Sequence, residues 1–222
     1  MTSSDIVSLF VTALNLLPIL IYFVTRSRQE PEMRFFAIML IAHFVADLFG
    51  TIAWIHRDAA TSLVFSNTYS IIETAMLILL FRVKLNQVKK PALLILGAVV
   101  IVIELYQMAI DPGIFAFPIF SRIVLSISVA ILSVLYFYKL LKDLPAVHIY
   151  KVPMFWINMG LVIYFMGNFV LFILKDYLAS MLANDLRFYW GYHNFLAGLS
   201  YLLFTIGLLQ ARSARHVSNM PR

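Results

Sequence analysis

The chain has 222 residues, of which 62% are hydrophobic and only 13% are charged. Soluble domains carry about 25% charged residues, so this composition excludes a soluble globular protein and indicates a membrane protein. The formal net charge is +6, which by itself is compatible with a membrane surface or with nucleic acid. The absence of cysteine excludes disulfides, thiolate metal sites and cysteine nucleophiles.

Apolar segments of about 20 residues, the length that crosses a bilayer as a helix, follow one another along the chain. Seven are predicted, at residues 6–25, 35–55, 63–81, 92–110, 117–141, 153–174 and 188–210. We therefore predict an all-α fold, with residues 1–222 forming a single domain of seven transmembrane helices. The short connections leave no room for a soluble catalytic or output domain.

The first segment could be mistaken for a signal peptide. It lacks the basic residues with which signal peptides begin, and its apolar run is longer than theirs. We interpret it as a retained helix. Within it, Pro18 predicts a bend, because proline lacks an N–H group and clashes with the carbonyl group four residues earlier.

Glycines recur at seven-residue spacing in the last two helices. Gly160 and Gly167 share one helix face, as do Gly191 and Gly198. Small residues at this spacing allow the backbones of two helices to approach closely in lipid. We predict that these glycines are packing positions.

Basic residues concentrate in alternate connections and in the C-terminal tail. Thirteen of the 17 are placed in this way: Arg26, Arg28, Arg34, Arg82, Lys84, Lys89, Lys90, Lys139, Lys142, Lys151, Arg212, Arg215 and Arg222. By the positive-inside rule, this pattern predicts an N-terminus outside and a C-terminus in the cytoplasm. Because the charges report topology, we expect no nucleic-acid partner.

Ionisable residues within the spans are the strongest functional signal. Such a group costs several kcal/mol at membrane depth unless it is paired, hydrated or neutralised. His43 and Asp47 are four residues apart and therefore lie on one helix face, and Glu73 lies near the middle of the third helix. With His193, they are predicted to lie in the middle and outer half of the membrane.

Aromatic and amide side chains accompany these groups. We predict that Tyr69, Trp54, Tyr164 and Tyr192 form the walls of an outer-half pocket, with Asn168 as a further ligand-binding residue. The anchors of this pocket are His43, Asp47, Glu73 and His193. Glu104 and Arg122 are expected to form a structural ion pair near the outer rim.

Known membrane chemistries restrict the possible activity. A retinal protein needs a lysine within its seventh helix, and this segment has none, so no cofactor is predicted. Seven-helix zinc hydrolases need three histidines at depth, and only two are present here. A metal, if one were bound, would have to use His43, His193, Asp47 and Glu73, because zinc accepts nitrogen and oxygen ligands.

Several segments resemble a known group of proteins. They are Asn67–Glu73 in the third helix, Phe155–Gly160 and Tyr164–Asn168 in the sixth, and Tyr192-His193-Asn194 in the seventh. They look like poorly characterised seven-helix membrane proteins of Bacteroidota-type bacteria, which are similar to modules preceding some sensor kinases. The resemblance implies a bacterial inner membrane and a sensing role, and it transfers no catalytic residues.

The sequence therefore favours a receptor or sensor that binds a small or lipid-like ligand. A membrane hydrolase or lyase that uses the same carboxylates and histidines, with or without a metal, is the first alternative. A proton-coupled transporter is the second. The bilayer and the ligand are the expected partners, and a homo-oligomer or a signalling protein as a further partner is left open.

Overall fold

The computed structural model describes residues 3–25, 31–85, 88–110, 117–143, 149–181 and 187–218, and within these ranges the chain is helical, without strands. The helices are α1 (Ser3–Leu14), α2 (Leu16–Val24), α3 (Pro31–Ile55), α4 (Ala59–Lys84), α5 (Lys90–Ile110), α6 (Ile119–Asp143), α7 (Pro153–Met181) and α8 (Arg187–Ser218), and a short 3₁₀ helix covers Ile149–Lys151.

Within the described ranges, seven helical stretches are long and apolar enough to cross a membrane, with α1 and α2 together making the first of them. The predicted number of apolar helices of membrane-crossing length and the all-helical class are confirmed. The largest differences in bounds are at the ends of α7 and α8, which continue to Met181 and Ser218 although the predicted apolar segments stop at residues 174 and 210. A helix can extend beyond the apolar layer, because its backbone hydrogen bonds do not depend on lipid.

The first span is interrupted at Asn15, three residues before Pro18. The Asn15 N–H is shared between the carbonyls of Val11 and Thr12, both at 3.2 Å. Since Pro18 cannot donate to Leu14, the ladder would be broken at this turn in any case. The predicted irregularity is therefore present, one turn before the proline.

Consecutive spans pack against one another, and the first span also packs against α8, so the helices form a closed ring. At two glycines of α7, the side chains of α8 lie close to the α7 backbone. A Cβ atom added at Gly160 would lie 2.5 Å from the Phe204 ring, and one at Gly167 would lie 2.4 Å from Leu196. These two glycines are packing positions as predicted, whereas Gly191 has no atom within 4 Å of an added Cβ.

The two ends of the bundle differ. At one end, the α3–α4 connection places Asp58 at the N-cap of α4, where it accepts a hydrogen bond of 3.0 Å from the Thr61 N–H, and this bonding lowers the pKa of Asp58. At the opposite end, Glu32 pairs with Lys84, and Lys139 donates to the Lys84 carbonyl at the end of α4. Cations at a helix C-terminus are favourable, because the last carbonyls carry partial negative charge.

Candidate functional site

Glu73 on α4 holds the best-defined charge pair inside the bundle. Its Oε2 accepts a hydrogen bond of 2.8 Å from Arg122 Nη1, and its Oε1 accepts one of 3.0 Å from the Tyr69 hydroxyl. Arg122 also donates through Nη2 to the carbonyl of Ser66 at 3.2 Å. The predicted pairing of Arg122 with Glu104 is therefore wrong, because the long guanidinium side chain reaches from the start of α6 to α4.

His43 connects α3 with α4 and α8. A hydrogen bond of 2.8 Å joins its Nε2 to the Tyr201 hydroxyl. Its ring also meets that of Tyr69 edge to face, with 4.7 Å between the ring centroids. The Tyr69 hydroxyl also donates a hydrogen bond to Glu73, so Tyr69 links His43 to the ion pair of Glu73 and Arg122.

Asp47 lies one turn beyond His43 on α3, facing α1 and α8. The Thr12 hydroxyl donates a hydrogen bond to it, and His193 is close enough to interact with it electrostatically. His193 Nδ1 in turn lies 2.6 Å from Asn168 Oδ1, while Asn168 Nδ2 donates to the Tyr164 carbonyl at 2.7 Å. Since that amide nitrogen is engaged, His193 Nδ1 carries the hydrogen and Nε2 is left to accept or bind a proton.

Tyr164 interacts with both the Glu73–Arg122 pair and the Asp47–His193 pair. Its ring lies 5.8 Å from that of His193, and its hydroxyl interacts electrostatically with Glu73, Arg122 and Asp47. We call the connected set the polar cluster. Its members come from six of the seven spans: Thr12, His43, Asp47, Tyr69, Glu73, Arg122, Tyr164, Asn168, His193 and Tyr201.

Two of the predicted wall residues lie outside the polar cluster. Trp54 is 48% exposed and Tyr192 is 38% exposed. Trp54 shares a face with Asp47, but it is about 10 Å further along α3 and one residue before the helix ends. Tyr192 precedes His193 in the same helix, and consecutive helical residues point about 100° apart.

Three members of the polar cluster were not predicted as ligand-binding residues. Thr12 and Tyr201 carry no signal in a single sequence, since hydroxyl residues are common in transmembrane helices. Arg122 does carry one, because it is a cation within a span on the side where basic residues are scarce. Its partner depends on helix rotation, which periodicity alone does not supply.

The members of the polar cluster differ in how deeply they are buried. Tyr69, Glu73 and Asn168 are buried, whereas His43, Asp47, Tyr164 and His193 are partly exposed. A groove of about 490 Å³ lies elsewhere, between α5 and α6, and is lined by apolar side chains with Gln107. Apart from Arg122 on α6, the partly exposed members of the polar cluster therefore lie on α3, α7 and α8.

A metal site would need several of these side chains to point at one ion. Within the described ranges, no three His, Asp or Glu side chains are placed to hold one ion. His43, His193, Asp47 and Glu73 instead each have a protein partner of their own. The arrangement provides hydrogen-bond donors and acceptors for a polar group, with aromatic rings beside them.

Glu104 forms a second polar site, between α4 and α5. Its Oε1 accepts hydrogen bonds from Ser70 Oγ at 2.7 Å and from Thr74 Oγ1 at 3.0 Å. The side chain is 0% exposed. Its Oε2 has no hydrogen-bond partner among the described residues.

Comparison with protein-family models, with curated proteins and with solved structures finds no match for this chain. The resemblance to seven-helix membrane proteins of Bacteroidota-type bacteria therefore stays a prediction. For the part of the chain that it describes, the structure establishes an all-helical fold with seven helices long and apolar enough to span a membrane.

Proposed function

We propose that this chain is a multi-pass protein of the bacterial inner membrane that binds a small or lipid-like ligand at the polar cluster. The N-terminus is outside and the C-terminus is cytoplasmic, as the loop charges predict. In this orientation, the α3–α4 connection faces outward. His193 and Asp47 then lie in the outer half, and a ligand enters from the outer side of α3, α7 and α8.

One observation carries this proposal. Asp47 is a partly exposed carboxylate inside a span, and among the described residues the Thr12 hydroxyl is the only group that donates a hydrogen bond to this carboxylate. A carboxylate has four lone-pair positions, so Asp47 retains capacity for further donors. His193 beside it adds an imidazole Nε2, and Trp190 and Tyr164 place their rings 5.8 Å from the ring of His193. A small number of polar groups beside aromatic rings is typical of a ligand-binding site.

Binding fits this arrangement better than catalysis. The buried ion pair of Glu73 and Arg122 is satisfied within the protein, and it supports Tyr69 and through it His43. Asp47 and His193 are the groups left to meet a ligand. A sensor needs only such a pocket and a means of passing on its occupancy. A signalling partner protein or a second copy of the chain would supply that output.

The test is the ligand content of protein purified from its native membrane. Small molecules and lipids released by denaturation are measured by mass spectrometry for the wild type and for Asp47→Asn. The matched control is Asp58→Asn, which removes the same charge from the exposed N-cap of α4. We expect one compound at a stoichiometric amount in the wild type and the control, and at least tenfold less in Asp47→Asn.

Equal amounts of every compound in all three proteins would refute the proposal. A folded-protein check by thermal unfolding accompanies each sample, so that loss of ligand is not confused with loss of structure. His193→Gln gives a second reading, because it keeps a hydrogen-bond donor while removing the imidazole.

A further inference from the structure

Glu104 is an ionisable side chain that does not belong to the polar cluster. It is completely buried on α5, and the contacts to its Oε1 are two neutral hydroxyl groups, those of Ser70 and Thr74. Hydroxyl donors lower the cost of burying a carboxylate but do not cancel its charge. An ionised Glu104 therefore needs a positive charge nearby.

The neighbouring helices bring two further charges near Glu104. They are Glu73 from α4 and Arg122 from α6, and each interacts electrostatically with Glu104. The guanidinium group is already hydrogen-bonded to Glu73 and to the Ser66 carbonyl. When both carboxylates are ionised, they and the single guanidinium leave one negative charge in excess. A buried unpaired charge is costly, and the uptake of one positive charge removes that cost.

The oxygen atoms around this position suit a small hard cation. Glu104 Oε2 is fully enclosed and has no hydrogen-bond partner among the described residues. Glu104, Ser70 and Thr74 together supply only carboxylate and hydroxyl oxygens, the ligands of hard cations.

We propose that Glu104, with Ser70 and Thr74, is a membrane-buried binding site for one monovalent cation, either a proton or a sodium ion. One positive charge neutralises the excess carboxylate, and a divalent ion would leave the trio of Glu73, Glu104 and Arg122 positive. The proposed ligands, Glu104, Ser70 and Thr74, lie outside the polar cluster. A cation can bind there whether or not the cluster also binds a ligand.

The experiment uses the purified full-length protein and separates the two cations. In the sodium arm, thermal unfolding is followed while choline chloride is replaced by sodium chloride at constant ionic strength. In the proton arm, infrared spectra at neutral pH are searched for the carbonyl band of a protonated carboxylic acid. Glu104→Gln is the test variant, because the amide keeps an oxygen for Ser70 and Thr74 and needs no cation.

Glu32→Gln is the matched control, since Glu32 already has a cation in Lys84. A sodium-dependent rise in the melting temperature that Glu104→Gln loses and Glu32→Gln keeps supports a sodium site. An acid band with the same pattern supports a proton site. The absence of both responses in the wild type would overturn the proposal, because Glu104 would then be ionised and balanced by Arg122 alone.

A second variant keeps the proposal falsifiable if Glu104→Gln does not fold. Thr74→Val keeps the shape of the side chain and removes one hydroxyl group. For sodium, we expect the half-saturating concentration to rise about three- to tenfold, the effect of one lost polar contact. For a proton, we expect the acid band to shift in frequency, because its carbonyl loses one hydrogen bond. An unchanged midpoint and an unchanged band would contradict the assignment.

Discussion

The ion pair of Glu73 and Arg122 gives the sharpest test of how the bundle tolerates charge. The side chains are 3% and 11% exposed, so neither charge can turn to water. Glu73→Gln removes the negative charge and nearly preserves the shape. Removing one partner of a buried pair costs about 3–5 kcal/mol, since the other charge is left uncompensated.

The structure favours the lower end of this range. The amide oxygen introduced by Glu73→Gln can still accept from Arg122, and Glu104 still interacts electrostatically with the guanidinium. We therefore expect a loss of about 3 kcal/mol in the free energy of unfolding, out of a total of about 5–15 kcal/mol. At about 2–4 °C for each kcal/mol, the melting temperature should fall by roughly 6–12 °C.

The assay is thermal unfolding in detergent, with two comparisons. In the pair of Glu32 and Lys84, the Glu32 side chain is only 4% exposed, but the Lys84 side chain is 28% exposed. The charge that Glu32→Gln leaves behind can therefore turn to water, and we expect a smaller cost of about 1 kcal/mol. The double variant Glu73→Gln with Arg122→Gln removes both charges and should recover most of the loss. Equal costs for the two single Glu variants, or a double variant that costs the sum of its parts, would refute the reasoning from burial.

Three further predictions concern packing, backbone strain and orientation. Gly160→Ala puts a methyl group 2.5 Å from a ring on α8 and should cost about 1–3 kcal/mol in thermal unfolding, whereas Gly191→Ala should cost nothing. Arg57 has a φ of 65°, so Arg57→Gly should raise the free energy of unfolding by about 1 kcal/mol and Arg57→Ala should leave it unchanged. Because the chain has no cysteine, an impermeant maleimide should label Asp58→Cys in intact spheroplasts and Lys89→Cys only after lysis. The opposite labelling pattern would reverse the proposed orientation.

The sequence was sufficient for the number of spans, because each span must be a run of apolar residues about 20 long. It was also sufficient for contacts within one helix. Tyr69 and Glu73 are four residues apart, and their side chains are hydrogen-bonded in the structure as that spacing allows. The interruption near Pro18 followed from the missing N–H group of proline.

Contacts between helices were harder to predict. Depth alone allowed Arg122 to pair with Glu104 or with Glu73, and the choice depends on how α4 and α6 are rotated about their axes. Rotation is set by packing, such as the close approach of α7 and α8 at Gly160, and no pattern in one helix encodes its neighbour's angle. For the same reason, Trp54 shared a face with Asp47 and still lies at the surface.

The two sites that we propose meet on α4. Tyr69 and Glu73 belong to the polar cluster, and the next residues along the helix, Ser70 and Thr74, hold Glu104. Arg122 interacts with both carboxylates, so anything that draws Glu73 away frees the guanidinium group to approach Glu104 and weakens the hold on a cation there. Coupling of this kind is reciprocal, so that loss of the cation would in turn weaken the pair of Glu73 and Arg122. A ligand that disturbs Glu73 through Tyr69 would thus alter cation affinity on the adjacent face of the same helix.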